Sequence, residues 1–183
     1  MSSNTPKSPI SISVCDESFE TWITKPYINA ELRPSLRKAD LLIVPREKIR
    51  NLQGPVFPAG TEDLYFFLKE KLPDYHPEIC ISDEQYQEYA FHGVMLIIGG
   101  FIVTVLAAPI FVNVVSEYIN KQLALKSEPG KSVDVKFEMS IIESDGTAKK
   151  IKYDGPAEQF QQLMEKEVAV SRPKNSKKLP KKK

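Results

Sequence analysis

Residues 89–116 read YAFHGVMLIIGGFIVTVLAAPIFVNVVS, twenty-eight residues without an aspartate, glutamate, lysine or arginine. The segment Gly93–Val115 contains fourteen leucine, isoleucine, phenylalanine or valine residues. A helix needs about 20 apolar residues to cross the ~30 Å hydrocarbon layer, and these side chains contribute roughly −4 to −8 kcal/mol toward insertion. The stretch therefore predicts a long transmembrane helix, kinked at Pro109 because proline removes a helical hydrogen bond.

The second half of this stretch also fits a helix packed against protein. Beyond Pro109, Ile110 and Val114 fall on a face opposite Asn113 and Glu117. Such amphipathic spacing is typical of a helix on a protein surface or at a membrane interface. The residues alone leave open a spanning helix, an interfacial or re-entrant helix, and the core helix of a multi-subunit complex.

Small residues in the stretch would let two such helices approach closely. We therefore predict that the apolar helix is also the site of oligomer formation. The residues assigned to this site are Gly93, Leu96, Gly99, Gly100, Val103, Ala107, Ala108 and Pro109.

The residues before the apolar stretch predict a small α/β module over 10–82. Residues 10–14 alternate as Ile-Ser-Ile-Ser-Val, which is typical of a strand with one buried face. Residues 39–45 predict a strand buried on both faces. Thr61 is a candidate cap for a helix that ends before Pro73, and residues 78–81 predict a further strand. The predicted apolar helix then occupies 83–123.

Residues 131–168 predict a β-hairpin followed by a helix. Val135, Phe137 and Met139 alternate with polar residues up to the Asp145-Gly146 turn. Proline at 156 suits the first turn of the closing helix. The predicted fold class is therefore α+β: an N-terminal α/β layer, the long apolar helix, and this ββα module. Residues 1–9 and the lysine-rich tail, 171–183, are predicted to be disordered.

Charge is distributed unevenly along the chain. Residues 1–90 hold ten basic and fourteen acidic side chains, a net of −4, and residues 117–183 hold fifteen and ten, a net of +5. Within about twenty residues of the apolar stretch, the C-terminal flank carries Lys121, Lys126 and Lys131, whereas the N-terminal flank carries mainly acids. Positive residues beside a membrane span favour the cytoplasmic side, which places the C-terminal flank there. This predicts a protein of the inner or plasma membrane with at least one module in the cytoplasm.

Two groups of lysines are candidate contacts for anionic ligands or lipid. Lys149, Lys150 and Lys152 form the local basic cluster, and Lys177 and Lys178 lie in the tail. Each tail lysine near an anionic bilayer would add about 1 kcal/mol. Nucleic acid is not an expected partner, because the tail lacks the interleaved aromatic residues on which bases stack.

The sequence offers little catalytic chemistry. It has no HExxH, GxSxG or Walker-type motif, and Cys15 and Cys80 are far apart with no flanking motif. His76 and His92 are isolated histidines, which are more often packed or interfacial than catalytic. We therefore expect no enzymatic activity, no cofactor and no metal.

Residues 93–168 resemble the small accessory modules encoded beside effector domains in bacterial conflict and antiphage systems. The resemblance is carried by the apolar helix, the Asp145-Gly146 hairpin, Gly155-Pro156 and the closing helix. It implies an adaptor role and a defence setting, with a partner encoded nearby. The chain departs from those modules in its more aliphatic helix and its N-terminal layer.

The leading functional prediction is a non-enzymatic, membrane-associated interaction or effector protein that oligomerises through its apolar helix. The expected partners are the lipid bilayer, further copies of the chain and a protein encoded nearby. Two alternatives stay open. One is a soluble adaptor subunit whose apolar helix is buried in a multi-subunit complex. The other is a ligand-sensing membrane effector.

Overall fold

A computed structural model of the chain describes residues 8–49, 52–90, 95–126 and 130–171. The strands in these ranges are β1 (Ile10–Cys15), β2 (Leu41–Val44), β3 (Phe57–Pro58), β4 (Pro77–Ile79), β5 (Glu88–Tyr89), β6 (Met95–Thr104), β7 (Asp134–Ile142) and β8 (Ala148–Pro156). The helices are α1 (Phe19–Ile23), α2 (Arg33–Leu36), α3 (Thr61–Lys71), α4 (Ala108–Lys126) and α5 (Ala157–Val170).

Six strands form one mixed sheet in the order β1-β8-β7-β6-β2-β4. The β6–β7 and β2–β4 pairs are parallel, and the other neighbours are antiparallel. Because β1 pairs with β8, the first strand of the chain lies beside the last. β3 and β5 form a separate two-stranded parallel sheet.

Helices cover the two faces of the six-stranded sheet unequally. α3, α4 and α5 pack on one face, where Phe101, Phe111, Phe137 and Phe160 form a chain of ring contacts with centroids 4.9–5.3 Å apart. On the other face, α1 and α2 contribute to a smaller cluster that includes Leu42 and Ile102 of β2 and β6. The β7, β8 and β1 portion of that second face carries polar side chains.

The predicted fold class is wrong in its central element, because residues 83–123 do not form one helix. Asp83–Gln85 is a single 3₁₀ turn, and Met95–Thr104 is strand β6. β6 lies between β2 and β7 and is covered on both faces, so its side chains are apolar without alternation. A continuous apolar run of this kind does not separate a central strand from a helix.

The apolar stretch changes from strand to helix at Val105–Ala107. Pro109 is the second residue of α4 and therefore does not kink a helix; the first helical turn has no use for the missing N–H. β6, α4 and β7 form a parallel crossover unit, in which a helix carries the chain back to the start of the next strand. Among the described residues, no helix has both the length and the apolar character that crossing a membrane requires.

The residues assigned to a membrane or oligomer helix consequently lie on different elements. Leu96, Gly99, Gly100 and Val103 belong to β6. Ala107 ends the turn before α4, and Ala108 and Pro109 begin that helix. Val103, Ala107 and Ala108 are buried in the main core, so they are occupied by packing within the chain. Gly93 lies outside the described residues.

The hairpin and its closing helix lie where the sequence places them. β7 and β8 pair from Asp134–Pro156 to Ile142–Ala148 around Asp145-Gly146, and Gly146 has the positive φ (85°) that this turn needs. They do not form a separate module, however, because the hairpin joins β1 and β6 in the same sheet. Near the N-terminus, Gly60 rather than Thr61 is the cap of α3.

Candidate interaction surfaces

The outer edge of β1 exposes backbone hydrogen-bonding groups. β1 is the end strand of the sheet, and its register pairs Ile10 with Tyr153. One position further, the Asp154 amide donates to the Pro9 carbonyl at 2.8 Å. Antiparallel pairing alternates, so the odd-numbered residues of β1 bond to β8. The N–H and C=O groups of Ile10, Ile12 and Val14 therefore point away from β8, and the Ile10 N–H donates to Ser8 Oγ at 3.4 Å.

The apolar side chains of β1 are exposed as well. Ile12 is 44% exposed and Val14 is 85% exposed. The alternation of Ile-Ser-Ile-Ser-Val correctly predicts a strand, but its apolar face is left largely uncovered by the described part of the chain. Long apolar edge strands invite pairing with another strand. Sequence reasoning did not assign Ile12 or Val14 to a site, because exposure depends on the position of the strand in the sheet.

Charged side chains on β7 and β8 neutralise one another. Lys150 Nζ lies 3.0 Å from a Glu17 carboxylate oxygen and 3.1 Å from one of Glu138, and its side chain is only 18% exposed. Lys152 is 3.3 Å from Glu138. Burial disfavours charge on Glu138 and Lys150, but it is outweighed at Glu138 by Lys150 and Lys152 and at Lys150 by Glu17 and Glu138. The pKa of Glu138 is therefore lowered and that of Lys150 is raised.

The three lysines predicted as one anion site do not converge. Lys150 and Lys152 point to the polar face, in contact with carboxylates. Lys149 points to the helical face, where its Nζ donates to Ser171 Oγ at 3.1 Å and to the Glu167 carbonyl at 3.3 Å. Strand alternation explains this separation. Lys177 and Lys178 lie outside the described residues, so their contact with lipid stays a prediction.

A cleft of about 670 Å³ opens on the second face of the sheet, beside the part that α1 and α2 cover. Gly99 and Gly100 contribute to its lining, close to a shift in the β6–β7 register between Ile97 and Gly100. On its wall, the Glu47 carboxylate accepts from Lys25 and Tyr27, both at 2.9 Å. Burial works against ionisation of Glu47, and these two donors still lower its pKa. Three of the charged residues that line the cleft, Glu47, Lys136 and Glu138, form ion pairs with Lys25, Asp154 and Lys150.

Candidate nucleophiles and bases are spread over separate places. Cys80 is fully buried, and burial raises its pKa to about 12, so its thiol is inert. Cys15 Sγ is 3.8 Å from Ser140 Oγ, which donates to Glu17. His76 Nδ1 is 3.3 Å from Asp40 at the far edge of the sheet. Within the described ranges, no group of three or more histidine, cysteine, aspartate or glutamate residues is arranged to hold a metal ion. His92 lies outside them.

Glu88 of β5 caps the N-terminus of α3. Its two carboxylate oxygens accept from the Gly60 and Glu62 amides, each at 2.9 Å, and Tyr86 donates to it at 2.6 Å. Glycine at the cap has no side chain to accept these amides, so a carboxylate from a distant segment does so. Burial disfavours its charge, but these donors lower the pKa of Glu88. The interaction fixes the segment before β6 to the helical layer.

Within the described ranges, the edge of β1 therefore combines outward backbone groups at Ile12 and Val14 with exposed apolar side chains, whereas the polar groups described above partner one another. The resemblance to accessory modules of bacterial conflict systems stays a prediction. Comparison with protein-family models, curated proteins and solved structures finds no match to this chain.

Proposed function

We propose that the chain is a non-enzymatic protein-interaction module of the adaptor type, which binds its partner by strand addition at β1. The observation that carries this proposal is the edge itself: outward backbone groups at Ile12 and Val14 together with side chains that are 44% and 85% exposed. A strand added there would complete the backbone hydrogen bonds and cover the apolar side chains in one step.

The distribution of polar chemistry supports binding rather than catalysis. A nucleophile requires a base within hydrogen-bond reach and an accessible reacting position. Among the described residues, Cys80 is buried, whereas the serine beside Cys15 donates to a carboxylate that is itself paired with Lys150. Ser140, Glu17 and Lys150 thus connect β7, the segment after β1 and β8.

The role of the edge is tested with a Val14→Pro variant of the full chain. Proline at 14 removes an outward N–H, while the bonds to β8 come from the odd-numbered residues and stay intact. Val14→Ala is the matched control, because it shortens the side chain and keeps the N–H. Peptides are selected from a displayed random library on the wild type and then titrated against all three chains.

We expect selected peptides that alternate apolar and polar residues and that bind Val14→Pro roughly tenfold or more weakly than Val14→Ala, since a lost backbone bond and a disrupted added strand are worth at least about 1.4 kcal/mol. Equal binding to the two variants, with unchanged circular dichroism, would contradict strand addition. A selection that yields only peptides bound elsewhere on the chain would contradict it as well.

A further inference from the structure

We infer that the strand added at β1 is β1 of a second copy of this chain, paired antiparallel about a two-fold axis at Ile12. This inference rests on the proposed function and specifies its partner. It joins two six-stranded sheets into one continuous sheet.

The backbone groups favour a register centred on Ile12. The outward groups of β1 belong to Ile10, Ile12 and Val14, as its pairing with β8 dictates. With the axis at Ile12, Ile10 pairs with Val14 of the second copy and Ile12 pairs with Ile12. All three outward residues then form hydrogen-bonded pairs, in which two facing residues exchange both of their N–H···O=C bonds. An axis at Ser11 would place Val14 opposite residue 8 of the second copy, and an axis at Ser13 would place Ile10 opposite residue 16. Both of these partners lie outside β1.

The side chains of β1 match their own copies in this register. On the face that β1 shares with α5, Ile10 lies opposite Val14 of the second copy, and the two Ile12 side chains lie opposite each other. This pairing covers the exposed Ile12 and Val14 side chains. On the opposite face, Ser11 meets Ser13 of the second copy, and serine pairs across strands are favourable. A two-fold interface needs a self-complementary surface, and β1 supplies one.

Charge does not oppose this pairing. β1 consists of Ile-Ser-Ile-Ser-Val-Cys and has no charged residue. Edge strands that avoid self-pairing usually carry a charged residue, most often lysine, or a proline. The nearest acid, Asp16, comes opposite Ser8 of the second copy in the Ile12 register. Like charges therefore do not meet along the paired strands.

Disulfide trapping tests both the partner and the register. In a Cys15→Ser background, an Ile12→Cys substitution places two cysteines directly opposite each other. Their Cα atoms are expected about 5.5 Å apart, within the range of about 4.4–6.8 Å that a disulfide spans. Ile10→Cys is the matched control, because its two copies lie roughly 14 Å apart in this register. Cys80 is fully buried, so it does not compete.

We expect mild oxidation of the full chain to link most of the Ile12→Cys protein into dimers and little of the Ile10→Cys protein. Mixing Ile10→Cys with Val14→Cys is expected to give a crossed dimer. Efficient linking of Ile10→Cys to itself would overturn the register. If neither single variant links and the unsubstituted chain has the mass of one copy, the second copy is excluded as the partner.

These results are distinguishable from a failure of the proposed function. If the selected peptides bind at the β1 edge while the chain stays monomeric, the proposal of strand addition is retained and the added strand belongs to a different protein. If peptides do not depend on Val14 and trapping also fails, both the proposed function and this inference are wrong.

Discussion

Val14 and Lys149 lie directly opposite each other in the β1–β8 pair, yet their surroundings differ sharply. The Lys149 side chain is 20% exposed because it reaches the end of α5, whereas Val14 is 85% exposed. The helical layer therefore ends at β8, and β1 extends beyond it. A strand added at β1, as proposed, would therefore require no rearrangement of the described core.

Replacing Gly100 with alanine distinguishes strand β6 from the helix that the apolar stretch predicts. In β6, a Cβ at residue 100 would lie 3.1 Å from Val44 Cγ2 on the neighbouring strand, and Val44 is itself buried. We expect Gly100→Ala to lower the free energy of unfolding by about 1 kcal/mol. In a helix, the same change would raise it by about 1 kcal/mol.

Urea unfolding of Gly99→Ala provides the control, because a Cβ there meets Pro58 at an ordinary 3.7 Å. The Val44→Ala/Gly100→Ala double variant is expected to recover much of the cost of Gly100→Ala relative to Val44→Ala. Stabilisation by Gly100→Ala alone would speak against the strand.

Replacing Lys150 is expected to lower the free energy of unfolding more than replacing Lys152 on the same polar face. Lys150→Met leaves Glu17 and Glu138 without their shared cation, and the Lys150 side chain is largely buried at 18% exposure. We expect a loss of about 1–3 kcal/mol in unfolding free energy at neutral pH. Lys152→Met is the control and should cost less than about 1 kcal/mol, because that side chain is 56% exposed.

The effect of Lys150→Met should depend on pH. The pKa of Glu138 is lowered in the folded chain, so its stabilising contribution is present above the ordinary pKa of a glutamate and is lost as the pH falls through the lowered value. The difference between wild type and variant should therefore shrink in acid. A constant difference from pH 7 down to about pH 3 would show that lost packing, rather than charge, is the cause.

Glu88→Gln is expected to weaken the capping of α3. The carboxylate accepts from Gly60 and Glu62, and an N-terminal cap of this kind contributes about 1 kcal/mol at neutral pH when it is exposed to solvent. Because the folded pKa of Glu88 is lowered, the advantage of the wild type should disappear as the pH falls through that value. The control is Glu84→Gln at an exposed neighbouring residue, which should lower the thermal stability less than Glu88→Gln at neutral pH. Equal effects of the two substitutions would argue against the cap.

Local patterns predict the elements whose sequence carries both a period and a boundary. The β7–β8 hairpin is marked by alternation on both strands and by Asp145-Gly146 between them. The β6–α4 junction has no comparable mark, since Val105–Ala107 is as apolar as the strand and the helix it connects. Two buried elements therefore appeared as one long helix.

The candidate surface was only half predictable. The alternation in residues 10–14 identifies β1, but its exposure follows from pairing with β8, more than a hundred residues later in the chain. The same alternation on β8 does separate Lys149 from Lys150 and Lys152, so their divergence was available from the sequence. The carboxylates that neutralise Lys150 come from two other segments, and no local pattern connects them.

The most direct test of the pairing of two copies through β1 is the mass of the chain in solution, measured by sedimentation equilibrium under reducing conditions over a range of concentrations. Pairing through β1 predicts association toward twice the chain mass of 20.7 kDa for the wild type and for Leu106→Lys, since Leu106 is an apolar residue elsewhere that is 72% exposed. Val14→Lys should shift the equilibrium to the single chain by at least roughly tenfold in dissociation constant, because two lysines would enter the paired sheet. A wild type that stays at 20.7 kDa throughout, or a Val14→Lys variant that associates as the wild type does, would contradict it.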